Sequence, residues 1–190
     1  MQNPMKLVPL VTSAALALTV TAAAADEVSD TLESALKAYG DGDVAYALEE
    51  LDYAKQLMQE MQAGALSDFL PDAPEGWSAE EDTDAAAGFA MMGGGTASAR
   101  RYSNDAGEEF TITIVADSPM IAMMGGMIQN AGAMGMKMVR VGREKFLDNE
   151  GDLSALIEGR ILVQASGEPR DVILPLLEGI DYRALGRFGY

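Results

Sequence analysis

The spacing of the apolar residues changes sharply near residue 69, and that change limits the fold of this chain more than any other feature. From residue 26 to residue 66, apolar residues recur every three or four positions, which is the period of an amphipathic α-helix. The segment FLPDAPEGW, residues 69–77, then interrupts the pattern with two prolines and a glycine. Beyond it, runs such as TITIV at 111–115 resemble β-strands. Helices followed by strands predict the α+β class.

The first part, residues 26–68, is predicted to be an antiparallel helical hairpin. GDGD at 40–43 separates two helical stretches, and Asp43 is placed to cap the second by accepting hydrogen bonds from free backbone N–H groups. One apolar face runs along the pair. Its residues are Val28, Leu32, Ala35, Leu36 and Tyr39 in the first helix, and Val44, Ala47, Leu48, Leu51, Ala54, Met58 and Met61 in the second.

The second part, residues 77–190, follows a predicted linker at 69–76 and is expected to form an α+β sandwich. The runs TASARRYS and FTITIVADS predict one β-hairpin, and LSALI and RILVQA, joined by Glu-Gly, predict another. The acidic stretch AEEDTDAAAG, residues 79–88, is typical of a solvated loop. We predict a mostly antiparallel sheet with helices packed on one of its faces.

The hairpin contains a stretch that resembles a known repeat. The segment AYGDGDVAYALEELDYA, residues 38–54, is similar to the middle of a single tetratricopeptide repeat. Tyr39 matches the aromatic residue that ends the first helix, and Asp43 lies in the turn with Gly42. Ala47 and Ala54 match the small residues where the two helices approach. Because repeat proteins need several units to bury a core, the resemblance implies a helix pair that docks on its own second part or on another protein.

The second part also resembles known proteins, in the order of its elements. TITIVADSPM before a helix and ALIEGRILVQASG before the last helix are similar to the small α/β sandwiches typified by the PsbP and Mog1 proteins, and to a set of uncharacterised secreted bacterial proteins. The resemblance spans roughly residues 76 to 187. It implies a fold and no particular activity, because one fold carries many functions.

The first 25 residues are typical of a secretory signal peptide. Lys6 supplies one positive charge, an apolar stretch runs from Leu7 to Val20, and small residues precede Asp26. Ala23 and Ala25 occupy the small positions before a cleavage site after residue 25. The apolar stretch is shorter than the roughly 20 residues of a retained membrane span. We therefore predict export, most simply to a bacterial periplasm, and no stable membrane span after the signal peptide is removed.

Charge and missing residue types exclude several functions. Removal of Lys6 with the signal peptide leaves 12 basic and 30 acidic residues, a formal charge of −18. Nucleic acid and anionic membrane surfaces repel such a chain, so nucleic acid is not an expected partner. The chain has no cysteine and no histidine. This composition excludes disulfides, Cys/His metal sites and catalytic groups built on imidazole or thiol.

The segment MIAMMGGMIQNAGAMGMKM, residues 120–138, holds seven of the 13 methionines. Methionine is flexible and polarisable, and glycine weakens a helix, so the segment is suited to repacking against a protein partner. Core filling and shallow contact with lipid are alternatives; the helical stripe Ile121, Met124, Ile128 and Ala131 favours core filling. The predicted partner-binding residues are Met120, Met123, Met124, Met127, Ile128, Met134 and Met136.

The same segment offers soft metal ligands, because thioether sulfur selects Cu(I) over harder ions. Met123 and Met127 are four residues apart and would share a helix face. Met134, Met136 and Met138 alternate, which predicts one side of an extended segment. These five methionines are the predicted Cu(I) ligands, and no other cofactor is expected.

No complete catalytic motif occurs in the sequence, so no catalytic residue is predicted. A carboxylate pair, such as Glu108 or Glu109 facing Asp117, is the arrangement that would suit acid–base chemistry. The first expectation is therefore an exported, acidic, non-enzymatic binding or scaffold protein with a protein partner. A Cu(I) carrier is the second expectation, and a carboxylate-dependent hydrolase is the third.

Overall fold

A computed structural model describes residues 19–189, apart from the side chains at 19–25, 90, 92, 93, 124, 127 and 129. Positions 1–18 of the predicted signal peptide lie outside the described residues. The elements are α1 (Thr19–Gly40), α2 (Val44–Ser67), β1 (Trp77–Glu81), α3 (Thr83–Gly93), β2 (Thr96–Asn104), β3 (Glu109–Ala116), α4 (Pro119–Asn130), β4 (Met138–Val141), β5 (Glu144–Asn149), β6 (Asp152–Ile157), β7 (Ile161–Gly167), α5 (Arg170–Gly179) and α6 (Tyr182–Leu185). They form two compact units, of which the first ends at Met58 and the second begins at Gln59.

The first unit contains the part of α2 that ends at Met58 together with α1, and the two helices form the predicted helical hairpin. Its turn closes through hydrogen bonds from the backbone N–H groups of Asp41 and Asp43 to the carbonyls of Lys37 and Ala38. The carboxylate of Asp43 accepts a hydrogen bond from the Tyr46 N–H at 3.2 Å, which confirms the predicted cap. Small side chains at Ala35, Ala38, Ala47 and Ala54 are buried and let the two helices approach closely.

The second unit is built on a seven-stranded antiparallel sheet in the order β1-β2-β3-β7-β6-β5-β4. Strands β1 to β3 form one meander and β4 to β7 another, and the two join where β3 pairs with β7. Both predicted hairpins are confirmed, as β2–β3 and as β6–β7. The α+β class is therefore confirmed.

Helices cover both faces of this sheet, where the sequence led us to expect one. Ile112 and Ile114 of β3 belong to the larger core, whereas Val115 belongs to a second, smaller core on the opposite face. The larger core also contains residues from the end of α2, the loop after it, α5 and α6, namely Leu66, Leu70, Ile173, Leu177 and Leu185. The smaller core is closed by residues of α3 and α4.

Residues 79–88, expected to be a solvated loop, instead form part of β1 and the start of α3. Glu81 at the end of β1 pairs with Arg100 of β2. The carboxylate of Asp82 accepts hydrogen bonds from the Ala85 N–H at 2.9 Å and from Arg101 at 2.6 Å. Asp82 therefore caps α3, and the alanines that follow are strong helix formers.

Residues 69–76, predicted as a linker, contain no helix or strand and pack against β2. Leu70 is buried in the larger core. Arg100 donates hydrogen bonds to the carbonyls of Leu70 and Pro71 at 3.0 and 3.1 Å. The Tyr102 hydroxyl donates to the Pro71 carbonyl at 2.6 Å, and its buried ring stacks on Phe110 at 4.6 Å between centroids.

Candidate functional site

Helix α4 carries the first part of the methionine-rich segment and lies across one face of the sheet. Its inward side is formed by Ile121 and Ile128, which pack with Val115 and Leu162 in the smaller core. Gly125 lies between them, where an added Cβ would stand 3.0 Å from the terminal methyl of Leu156. The absence of a side chain at Gly125 therefore lets α4 approach β6 closely.

The outward side of the segment exposes methionine. Met123 on α4 is 85% exposed, and Met134 in the turn that follows is 62% exposed. Met136 is exposed to a smaller extent. Met91, near the end of the neighbouring helix α3, is 88% exposed. We call these four residues the methionine surface. Accessible apolar side chains mark a binding site where they adjoin one another in a patch, whereas single ones are normal.

The other predicted residues lie elsewhere. Met120 is half-buried at the start of α4, and Met138 is half-buried at the start of β4. The side chains of Met124 and Met127 are outside the described residues. Ile128 is buried in the smaller core, where it packs α4 against the sheet. It is therefore not available to a partner, contrary to the prediction.

Met134 does not lie in the extended segment that alternation predicted. Its backbone N–H bonds to the carbonyls of Asn130 and Ala131, and the Met136 N–H also bonds to Ala131. The turn is possible because Gly135 adopts a φ of +78°. Of the three alternating methionines only Met138 belongs to a strand. The predicted Cu(I) ligands thus come from a helix, a turn and a strand.

The carboxylate of Asp148 on β5 anchors the C-terminal end of the segment. Its Oδ2 lies 2.9 Å from Arg170 and 2.6 Å from the Nζ of Lys137, the residue between Met136 and Met138. Only 3% of the Asp148 side chain is exposed. The hydrogen bonds from Arg170 and then Lys137 lower the pKa of Asp148 to about 2, so it stays charged at neutral pH.

The N-terminal end of α4 is held by a tight turn after β3. Asp117 has a positive φ of 57°, and its carboxylate pairs with Arg160, which also donates to the carbonyl of Phe188. Gly95 approaches this turn so closely that a Cβ would stand 2.5 Å from the Ala116 carbonyl oxygen. Met123, Met134 and Met136 of the methionine surface therefore lie on a segment that is held at both ends.

The carboxylates considered for hydrolysis do not form a pair. Glu108 and Glu109 lie at the beginning of β3, whereas Asp117 follows its end. Eight residues of strand place Glu109 and Asp117 roughly 25 Å apart. Among the described residues, no group of three or more His, Cys, Asp or Glu side chains is placed to hold a metal ion.

In the part of the chain that the structure describes, no helix combines the length and the apolar character needed to cross a membrane. This finding agrees with the expectation of no stable span.

The sequence prediction missed Met91. Its position in MMGGG gave a signal, because the glycines that begin at 93 end α3 close to Met91. What the sequence did not show is that α3 and α4 pack on the same face of the sheet, through Phe89 and Ile121.

Comparison with known proteins returned no relative. No protein-family model matches the chain, and neither a curated protein nor a solved structure is significantly similar to it.

Proposed function

We propose that this is an exported, non-enzymatic binding or scaffold protein of the bacterial periplasm, and that the methionine surface contacts its protein partner. The observation that carries the proposal is the exposure of Met123 and Met134 on a segment whose other side is packed into the smaller core. On soluble proteins, larger exposed apolar patches mark sites where a second molecule binds.

The local chemistry suits an adaptable contact. Thioether side chains have three rotatable bonds and polarisable sulfur, so they fit apolar surfaces of different shapes. Gly126 has open space around it, and glycine in a helix interior lowers helix stability by up to about 1 kcal/mol relative to alanine. The ion pairs of Asp117 and Asp148 hold the two ends of the segment in place, while its exposed side chains can change rotamer. The signal-peptide pattern of the sequence supports the proposed location of the protein in the periplasm.

The test is capture of partners from periplasmic extract with a variant that carries Met91→Gln, Met123→Gln and Met134→Gln. All three side chains are exposed, so the changes should leave the free energy of unfolding within about 0.5 kcal/mol of wild type. Met58→Gln with Met61→Gln is the matched control, because these methionines are also exposed but lie on α2.

We expect the triple variant to lose a protein that both wild type and control retain. Retention of the same set of proteins by all three would contradict the proposal.

Cu(I) binding is a second candidate, favoured by the same accessible sulfurs. Replacing Met123, Met134 and Met136 by leucine separates the two, because leucine keeps the apolar contact and removes the thioether. A Cu(I) carrier should compete with a chromogenic chelator under anaerobic conditions and lose that competition in the leucine variant. A protein-binding surface should retain its partner in the leucine variant and lose it in the glutamine variant.

A further inference from the structure

The helical hairpin of the first unit has an open apolar groove of about 460 Å³ between α1 and α2. Its lining is Leu32, Ala35, Leu36, Tyr39, Val44, Ala47, Leu48 and Leu51. The two alanines are buried, but all six larger residues are exposed, up to 72% for Leu36 and 68% for Tyr39. We call these eight residues the hairpin groove.

The two walls of the groove have the same pattern. In α1 the residues are Leu32, Ala35, Leu36 and Tyr39, and in α2 they are Val44, Ala47, Leu48 and Leu51. Both sets follow the spacing i, i+3, i+4 and i+7, with alanine in second place. Rows of equal length and spacing on antiparallel helices suit a second, identical pair, because a two-fold axis sets each row against its counterpart.

Charge near the groove makes the salt dependence of association a discriminating test. The charged sequence neighbours of the groove residues are mainly acidic: Glu33, Asp43, Glu49, Glu50 and Asp52, with Lys37 as the basic one. A basic partner would be attracted to them, whereas a second copy would be repelled.

The exposed area is large enough for a dimer. From their exposed fractions, the six larger residues present roughly 600 Å² per copy, or about 1,200 Å² in total, at the lower end of stable interfaces. An isolated helix pair of this size buries little core, because domains below about 40 residues usually need disulfides, metals or a second copy. The chain has no cysteine to form a disulfide.

We propose that a second copy of this chain covers the hairpin groove, so that two hairpins form a four-helix bundle about a two-fold axis. This contact is separate from the methionine surface and does not depend on the proposed function.

The first test is the mass of the full-length mature protein, measured by light scattering and sedimentation equilibrium over a range of concentrations. Wild type should be a dimer in reversible equilibrium with monomer. Leu36→Gln with Leu48→Gln should raise the dimer dissociation constant at least about 30-fold, since each lost contact occurs twice in a two-fold interface. Tyr46→Gln is the matched control, because Tyr46 is an exposed α2 residue outside the groove and its loss should leave the constant within about threefold.

The salt dependence of association distinguishes a second copy from an oppositely charged partner. Two copies with a net charge of −18 each repel one another, so raising salt from about 0.05 M to about 0.5 M should tighten the dimer. Binding driven by opposite charge would weaken over that range.

A second test uses the absence of native cysteine. A single spin label at Lys55→Cys, beside the groove, should give an interspin distance in the dimer that is lost in the Leu36→Gln, Leu48→Gln background. A monomer at all concentrations, or a dimer unaffected by the groove substitutions, would overturn the proposal. The Met91→Gln, Met123→Gln variant should still form the dimer. Failure of the dimer proposal is therefore distinguishable from failure of the proposed function.

Discussion

Two adjacent glycines of α4 should respond to alanine with opposite signs. Gly126 has open space around it, so Gly126→Ala should stabilise the protein by about 0.7 kcal/mol, through helix propensity and a less flexible unfolded chain. Gly125→Ala brings the same gain, but its Cβ would stand 3.0 Å from the Leu156 methyl. Relieving such overpacking costs about 1–3 kcal/mol. The net effect of Gly125→Ala should therefore be destabilising, by about 1 kcal/mol.

Urea unfolding followed by circular dichroism measures these differences directly. The cause is tested by adding Leu156→Val, which removes the crowded methyl carbon. The Gly125→Ala, Leu156→Val double variant should then be more stable than the sum of the single effects by about 1 kcal/mol, whereas the pair Gly126→Ala and Leu156→Val should be additive.

If Gly125→Ala stabilises the protein as much as Gly126→Ala does, α4 is not seated on β6 as described here. The support we infer beneath the methionine surface would then be wrong. Gly126→Ala also tests adaptability. If the segment must repack to bind its partner, the stiffer helix should weaken partner capture severalfold while raising the free energy of unfolding.

Further predictions concern the carboxylates of the second unit. Because the folded pKa of Asp148 is about 2, below its ordinary value near 3.9, its contribution to stability is present above about pH 4 and is lost as pH falls towards 2. Asp148→Asn should reduce that pH dependence in urea titrations at successive pH values, and an unchanged slope would refute the assignment. Asp82→Ala should cost about 1 kcal/mol through loss of the α3 cap, and Asp82→Asn, which keeps an accepting oxygen, should cost less. Equal losses for both would show that the charge, which also pairs with Arg101, matters more than the cap.

Local patterns in the sequence were enough to predict several features of the candidate site and fold. The helical stripe that favoured core filling includes Ile121 and Ile128, and both are buried, although Ile128 was predicted to contact a partner. Asp43 was predicted as a helix cap from its position alone, because a cap depends on the next few residues. The exposure of Met123 could not be predicted in the same way, since it depends on what lies beside α4.

Two predictions were wrong because each depended on contacts between distant parts of the chain. Residues 79–88 were expected to be a loop because their charge suggested solvent, but β1 forms by pairing with β2, about 20 residues further along the chain. Helices were expected on one face only, although the apolar Val115 beside Ile114 and Leu162 beside Ile161 offered a signal for burial on both faces.

Periodicity, turns and caps act over a few residues, so the amino-acid sequence was enough to predict the helical hairpin, the two β-hairpins and the α2 cap, although not β1 or α3. Tertiary packing set which face of the sheet each helix covers, which methionines remain in water, and the meeting of Lys137 and Arg170 at Asp148. These outcomes depend on residues far apart in the chain that come together only when strands pair and helices pack.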